Sequence, residues 1–96
     1  MNGISMKITD LYTTILNRKE NPTPTSYTAR LFDAGLDEIC KKVGEEAIEV
    51  IIAAKGQGKQ RLVEEISDLT YHVMVLMAQN EVKPDDILGE LNKRHK

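Results

Sequence analysis

Three glutamates stand in the segment "KKVGEEAIEV", residues 41–50: Glu45, Glu46 and Glu49. A second acidic set, Glu64, Glu65 and Asp68 in "VEEISD", repeats their internal spacing 19 positions later. On a helix, Glu46 and Glu49 lie one turn apart on one face, and Glu45 lies beside Glu49. Glu65, Asp68 and Glu64 repeat that arrangement. Lys42 falls one turn before Glu46, while Arg61 and His72 each fall four residues from an acidic partner. Both sets border apolar residues: Val50, Ile52 and Ala53 for the first, Leu62, Leu69 and Leu76 for the second. If two such helices face each other, as many as six carboxylates converge. Such a cluster is strongly unfavourable in a partly desolvated place unless something neutralises it. Hard divalent cations do so. Mg²⁺ takes oxygen ligands, keeps several waters and usually bridges to substrate phosphates. Inward-facing carboxylates on neighbouring helices are an established way to build a metal site in a bundle. The competing reading is a pair of solvated acidic faces, with Lys41, Lys42, Lys59 and Arg61 as ion-pair partners.

Other chemistry-bearing residues give weaker signals. His72, between Tyr71 and Val73, reads as a hydrogen-bonded core histidine, and His95, near the end of the last helical pattern, as idle. Cys40 is most simply a small core residue. The glycines and lysine of "GQGK" lack both the spacing of a phosphate-binding loop and a preceding strand, so they read as a turn. Lys42, Lys59 and Arg61 are candidates for phosphate contacts or plain surface charge. Tyr27, Thr28 and Arg30 follow a proline loop and are candidates for lining a nucleotide pocket, with packing and solvent as their alternative roles.

The elements that must position these groups are helical. Ile8, Leu11, Tyr12, Ile15 and Leu16 predict an amphipathic helix over 5–19. "NPTPTS" breaks the pattern, and "YTARLFDAG" predicts a short helix stopped at Gly35. A long helix is predicted over 36–55, with Ile39, Val43, Ala47, Val50 and Ala54 as one stripe. Ile48 and Ile52 lie on its other side, which predicts burial on more than one face. "KGQGK" turns the chain into a helix over 60–79, with Leu62, Ile66, Leu69, Val73, Leu76 and Met77 as its stripe. Pro84 with Asp85 and Asp86 starts a last helix carrying Ile87, Leu88 and Leu91, which frays into "NKRHK". No segment alternates with period two. The fold class is all-α, with two long central helices made antiparallel by a short connection.

Totals bound the remaining possibilities. The chain's 96 residues suffice for one domain, 1–96, small enough that sharing a core with a second subunit is expected. With no Trp and few aromatics, aliphatic side chains must supply the core. A net charge of −2, from 13 basic and 15 acidic residues, argues against nucleic acid as a partner. It leaves room for a small phosphorylated ligand. A lone cysteine excludes an internal disulfide and a cysteine-based zinc site, and a cytoplasmic location is the expectation. "MNGISMKITDLY" does not read as a secretory signal, and the runs "VIIAA" and "VMVLMA" are too short to span a membrane.

The stretches "SYTARLFDAGLDEICKKVGEEAIEVIIAAK" and "RLVEEISDLTYHVMVLM" closely resemble the phosphoribosyl-ATP pyrophosphohydrolases of histidine biosynthesis. The resemblance runs on to "DDILGELNKR". The wider group is the all-α, MazG-like nucleotide pyrophosphohydrolases, whose signature is E-x-x-E, a spacer, then E-x-x-D. Here it falls on Glu46, Glu49, Glu65 and Asp68, with 15 residues between the pairs. The resemblance implies an antiparallel helical bundle completed by homodimerisation. It implies Mg²⁺-dependent hydrolysis of phosphoribosyl-ATP to phosphoribosyl-AMP and pyrophosphate, without the cyclohydrolase activity to which this domain is often fused. On that reading Glu46, Glu49, Glu65 and Asp68 are metal ligands, and Glu45 or Glu49 is the catalytic base. Lys42, Lys59, Arg61, Tyr27 and Arg30 become substrate contacts. Two other functions remain open on the sequence: a housecleaning hydrolase of non-standard nucleoside triphosphates using the same site, and a non-enzymatic helical interaction module.

Overall fold

The structure is a computed structural model that describes residues 7–95. Five helices follow in order: α1 (Ile8–Glu20), α2 (Tyr27–Ala34), α3 (Leu36–Gly56), α4 (Lys59–Gln79) and α5 (Pro84–Arg94). No strand occurs among the described residues, so the all-α expectation holds. The expected start of the first helix at Ser5 lies outside the described residues.

Local chemistry sets the helix ends. Asp10 and Asp86 reach back to the backbone N–H groups of Lys7 and Lys83, at 3.1 and 2.8 Å, and so occupy orphan donors at the starts of α1 and α5. Ser26 Oγ accepts from Ala29 N–H at 3.1 Å, the ordinary N-cap bond. Gly35 ends α2 and begins α3 with φ of 100°, a conformation that glycine adopts at little cost. The two long helices are joined at Gln57 and Gly58, where Gly58 has φ of 87°.

The α3–α4 hairpin is the spine, and α1 and α2 pack on the end of it remote from the turn. There Tyr12, Ile15, Leu31, Ile39, Met74, Val75, Met77 and Ala78 form the core. Leu11, Leu16, Phe32, Tyr71, Val73, Leu76 and Val82 close around it. Toward the turn the hairpin projects beyond this core. Ile48, Ile51 and Ile52 on α3, and Val63 and Ile66 on α4, are half-exposed, Ile51 at 59%. The radius of gyration is 14.8 Å, against about 12.5 Å for a compact domain of this length.

Several stripe residues therefore depart from expectation. Ala53, not Ala54, is the buried alanine of α3, and Ile66 is exposed. Within one chain α3 is buried along one face only, because nothing from the same chain covers its outer half. Cys40 is exposed and not a core residue; the core side of that turn is taken by Ile39, which is fully buried.

Candidate active site

The hairpin brings Glu46 of α3 against Glu65 and Asp68 of α4. One carboxylate oxygen from each lies within 4.8 Å of the others. Antiparallel packing explains the meeting. The turn at Gln57–Gly58 sets a register in which residues roughly equidistant from it face one another, and Glu46 and Asp68 are each 11 residues from Gln57. Burial differs across the trio. Glu65 is only 6% exposed, Glu46 is partly buried and Asp68 is open to solvent.

Cations already present neutralise part of this charge. Arg61 Nη2 reaches Glu65 Oε1 at 2.5 Å, and its other terminal nitrogen pairs with Glu64. These two carboxylates hold the guanidinium above its ordinary value. Conversely, Arg61 first and Gln60 second pull the Glu64 carboxyl below the usual range. Lys42 Nζ stands 3.6 Å from Glu45 and 3.9 Å from Glu46. Its ammonium is held above the lysine range, first by the Tyr27 phenol, against the opposing effect of burial, and then by Glu45 and Glu46.

Of the four signature residues, three converge and Glu49 does not join them in this side-chain arrangement. It lies one turn beyond Glu46 on α3 and is exposed, as is Glu45. Lys59 is exposed at the first turn of α4 and forms no ion pair among the described residues. Arg61 is engaged by carboxylates, so its expected role at phosphate requires it to leave Glu64 or Glu65.

The proline loop places α2 at the flank of the site. Tyr27 begins α2, half-exposed, with the Arg30 guanidinium 6.0 Å from its ring centroid. Its hydroxyl lies 3.1 Å from His72 Nε2, and His72 Nδ1 lies 2.8 Å from the carbonyl oxygen of Asp68. His72 is 7% exposed, so it is the hydrogen-bonded core histidine expected. The partner it reaches could not be read from the sequence, because α2 meets α4 only after tertiary packing. Thr28 and Tyr71 hydroxyls form a second bond between the same helices.

The donor set is all oxygen and anionic, with one carboxylate removed from water. That matches a hard cation such as Mg²⁺ and not a site for soft or nitrogen-preferring metals.

Comparison with known proteins identifies the family of the chain. The family described as "Phosphoribosyl-ATP pyrophosphohydrolase" matches residues 8–95. The "Phosphoribosyl-ATP pyrophosphatase" of Clostridium novyi (strain NT) is 55% identical over 89 residues, covering 93% of this chain and 81% of the relative. That of Pelotomaculum thermopropionicum is 52% identical over 87 residues, covering 91% and 89% respectively. The "Histidine biosynthesis bifunctional protein HisIE" of Caldanaerobacter subterraneus subsp. tengcongensis is 49% identical over 95 residues, covering 99% of this chain but 46% of the relative. With a match spanning all five helices, the chain belongs to the phosphoribosyl-ATP pyrophosphohydrolase family.

Proposed function

We propose that the chain hydrolyses phosphoribosyl-ATP to phosphoribosyl-AMP and pyrophosphate, in histidine biosynthesis, at the carboxylate cluster between α3 and α4. The observation that carries this reading is the convergence of Glu46, Glu65 and Asp68 within 4.8 Å in a chain of this family. Cleaving a phosphoanhydride calls for charge neutralisation and an oriented water more than for covalent help. Glu46, Glu65 and Asp68 would hold Mg²⁺, which leaves Glu49, one turn further along α3, free of the ion. When bound, the ion supplies charge neutralisation for phosphate oxygens and lowers the pKa of a coordinated water.

The chain's own residues divide the remaining work. Glu65, buried and fixed by Arg61, orients the cluster. Glu49 or Glu45, both exposed on the same helix, accepts the proton of the attacking water. Glu49 is the better placed, since Lys42 stands beside Glu45. Lys42 and Lys59 add positive charge for the polyphosphate, with Arg61 behind them. Tyr27 and Arg30 flank the site where the rest of the nucleotide would lie.

A homodimer completes the bundle on this reading. The half-exposed Ile48, Ile51, Ile52, Val63 and Ile66 flank the turn on the projecting arm. Burying each would contribute about 1 kcal/mol, half the range for a fully exposed aliphatic side chain. No described helix is long and apolar enough to cross a membrane, and a free exposed thiol at Cys40 suits the reducing cytoplasm.

Pyrophosphate release from phosphoribosyl-ATP, measured with and without Mg²⁺, tests the proposal. The wild-type chain is expected to turn over only with the metal. Asp68→Asn and Glu49→Gln are expected to lose at least a hundredfold in kcat, and near wild-type turnover in both would refute the metal site.

A further inference from the structure

Tyr27 is held from two sides. Its ring lies 6.3 Å from that of Tyr71 at 26° and 6.0 Å from that of His72 at 82°. Even so, 44% of the residue stays exposed. The Arg30 guanidinium, 6.0 Å from the ring centroid, gives the same surface a cation. A fixed, half-exposed tyrosine with a cation over its ring is a candidate stacking surface for a flat heterocycle.

His72 supplies the fixing. A carbonyl oxygen only accepts, so His72 Nδ1 carries the proton it donates to Asp68. With Nδ1 carrying that proton, Nε2 of the uncharged tautomer is the acceptor that the Tyr27 hydroxyl, 3.1 Å away, can donate to. Both ring nitrogens are thereby used, and the ring is buried. The result is a two-bond link from the backbone of Asp68, in the carboxylate cluster, to the first residue of α2. Thr28 and Tyr71 make the only other side-chain hydrogen bond between α2 and α4 among the described residues.

We propose that Tyr27 is the surface on which the adenine ring of the substrate stacks, and that His72 is a positioning residue acting through the Tyr27 hydroxyl. This rests on the proposed nucleotide substrate. The mechanism separates affinity from chemistry. On this reading Tyr27 contacts the base and not the reacting anhydride, so its interaction is made equally in the ground and transition states. Losing it raises KM and leaves kcat nearly unaltered.

Two substitution series and a binding probe test this. Tyr27→Leu removes the platform and is expected to raise KM for phosphoribosyl-ATP about 10- to 100-fold. Tyr27→Phe and His72→Phe each remove the linking hydrogen bond while keeping a ring, and each is expected to raise KM about three- to tenfold. The double variant should be no worse than either single one, because both delete one interaction. His72→Gln carries an oxygen near the place of Nε2 and should recover most of the affinity. His72→Asn is too short to reach Tyr27 and should not. A histidine that merely fills the core would give no such ranking, and melting curves exclude unfolding as the cause.

AMP binding by calorimetry supplies a readout that needs no turnover. Wild type should bind AMP measurably more tightly than Tyr27→Leu, while binding of inorganic tripolyphosphate with Mg²⁺ stays equal in both. Equal AMP affinity in the two proteins, or a kcat loss larger than the KM change in the His72 series, would overturn the inference. Wild-type failure to hydrolyse phosphoribosyl-ATP, with AMP affinity still dependent on Tyr27, would overturn only the proposed reaction.

Discussion

Asp68→Asn is expected to stabilise the metal-free protein while abolishing its response to Mg²⁺. Asp68 offers an oxygen within 4.8 Å of one from Glu46 and one from Glu65. Two unit charges at that distance repel by about 0.9 kcal/mol at the dielectric of water and about 3.5 kcal/mol at an effective value of 20. Asp68 is exposed, so the lower figure applies to each pair. Arg61 beside Glu65 and Lys42 beside Glu46 offset part of the sum, leaving a net relief of about 1 kcal/mol. Asparagine keeps the shape, has similar helix propensity and leaves the backbone carbonyl free to receive His72. In a domain of this size, about 1 kcal/mol corresponds to a rise in Tm of about 4–8 °C. The assay is a melt in EDTA and again in Mg²⁺, at one protein concentration with the association state checked by sedimentation. In EDTA the variant should melt higher, and the gap should shrink in 1 M KCl, where the screening length is about 3 Å. With Mg²⁺ at about a hundred times Kd the wild type gains about 2.7 kcal/mol, the variant little, and the order reverses. A variant that melts lower in EDTA would refute the repulsion reasoning. An equal gain from Mg²⁺ in both proteins would remove Asp68 from the metal site.

Glu49→Gln should lower kcat about 10²–10⁴-fold, the usual range for a general base, whereas Glu45→Gln should cost less than about tenfold because that carboxylate is paired with Lys42. Equal losses in steady-state kinetics at saturating Mg²⁺ would refute that division. If the chain dimerises as proposed, Ile51→Glu, which places a charge on the open face of α3, should convert it from dimer to monomer by analytical ultracentrifugation; an unchanged sedimentation coefficient would refute a dimer interface on that face. Burial, with a smaller contribution from Tyr27 and against the hydrogen bond from Thr28, holds the Tyr71 phenol above the tyrosine range. The stability this gives is intact below pH of about 10 and is lost as pH rises through the folded-state value. Tyr71→Phe should therefore flatten the fall in stability seen by urea melts above that pH, and an unaltered slope would contradict it.

The parts of this fold legible in the sequence are those fixed by local chemistry. Gly35 stops α2 because of its backbone, and Pro84 with Asp86 starts α5 because of orphan N–H groups, so both could be placed without knowing what packs nearby. The convergence of Glu46, Glu65 and Asp68 was legible because a repeat at equal spacing on two helices joined by a short turn has few ways to pack. Whether Glu49 joins them depends on rotamers at the rim, which spacing does not determine. Tyr27 and His72 stand 45 residues apart, and no pattern within either helix reveals that α2 closes over that turn of α4. Side-chain identity still allowed the correct reading of His72 as bonded and buried, but not of its partner.

The apolar face of α3 carries a different lesson. A stripe pattern records which residues are buried in the finished assembly, whereas one chain shows only what its own helices cover. Ile48 and Ile52 read as interior and are half-exposed here, as is Ile51, while Ile39 and Ala53 on the same helix are buried as any core residue is. An error in helix phase would have exposed Ile39 together with the rest. Apart from Cys40, the mismatch lies on the arm beyond the core, the same arm whose inner face holds Glu46 and Glu65. A second surface laid along that arm would reconcile pattern with burial. It would also remove water from one side of the carboxylate cluster, raising the charge that a bound cation must neutralise and with it the advantage of binding one.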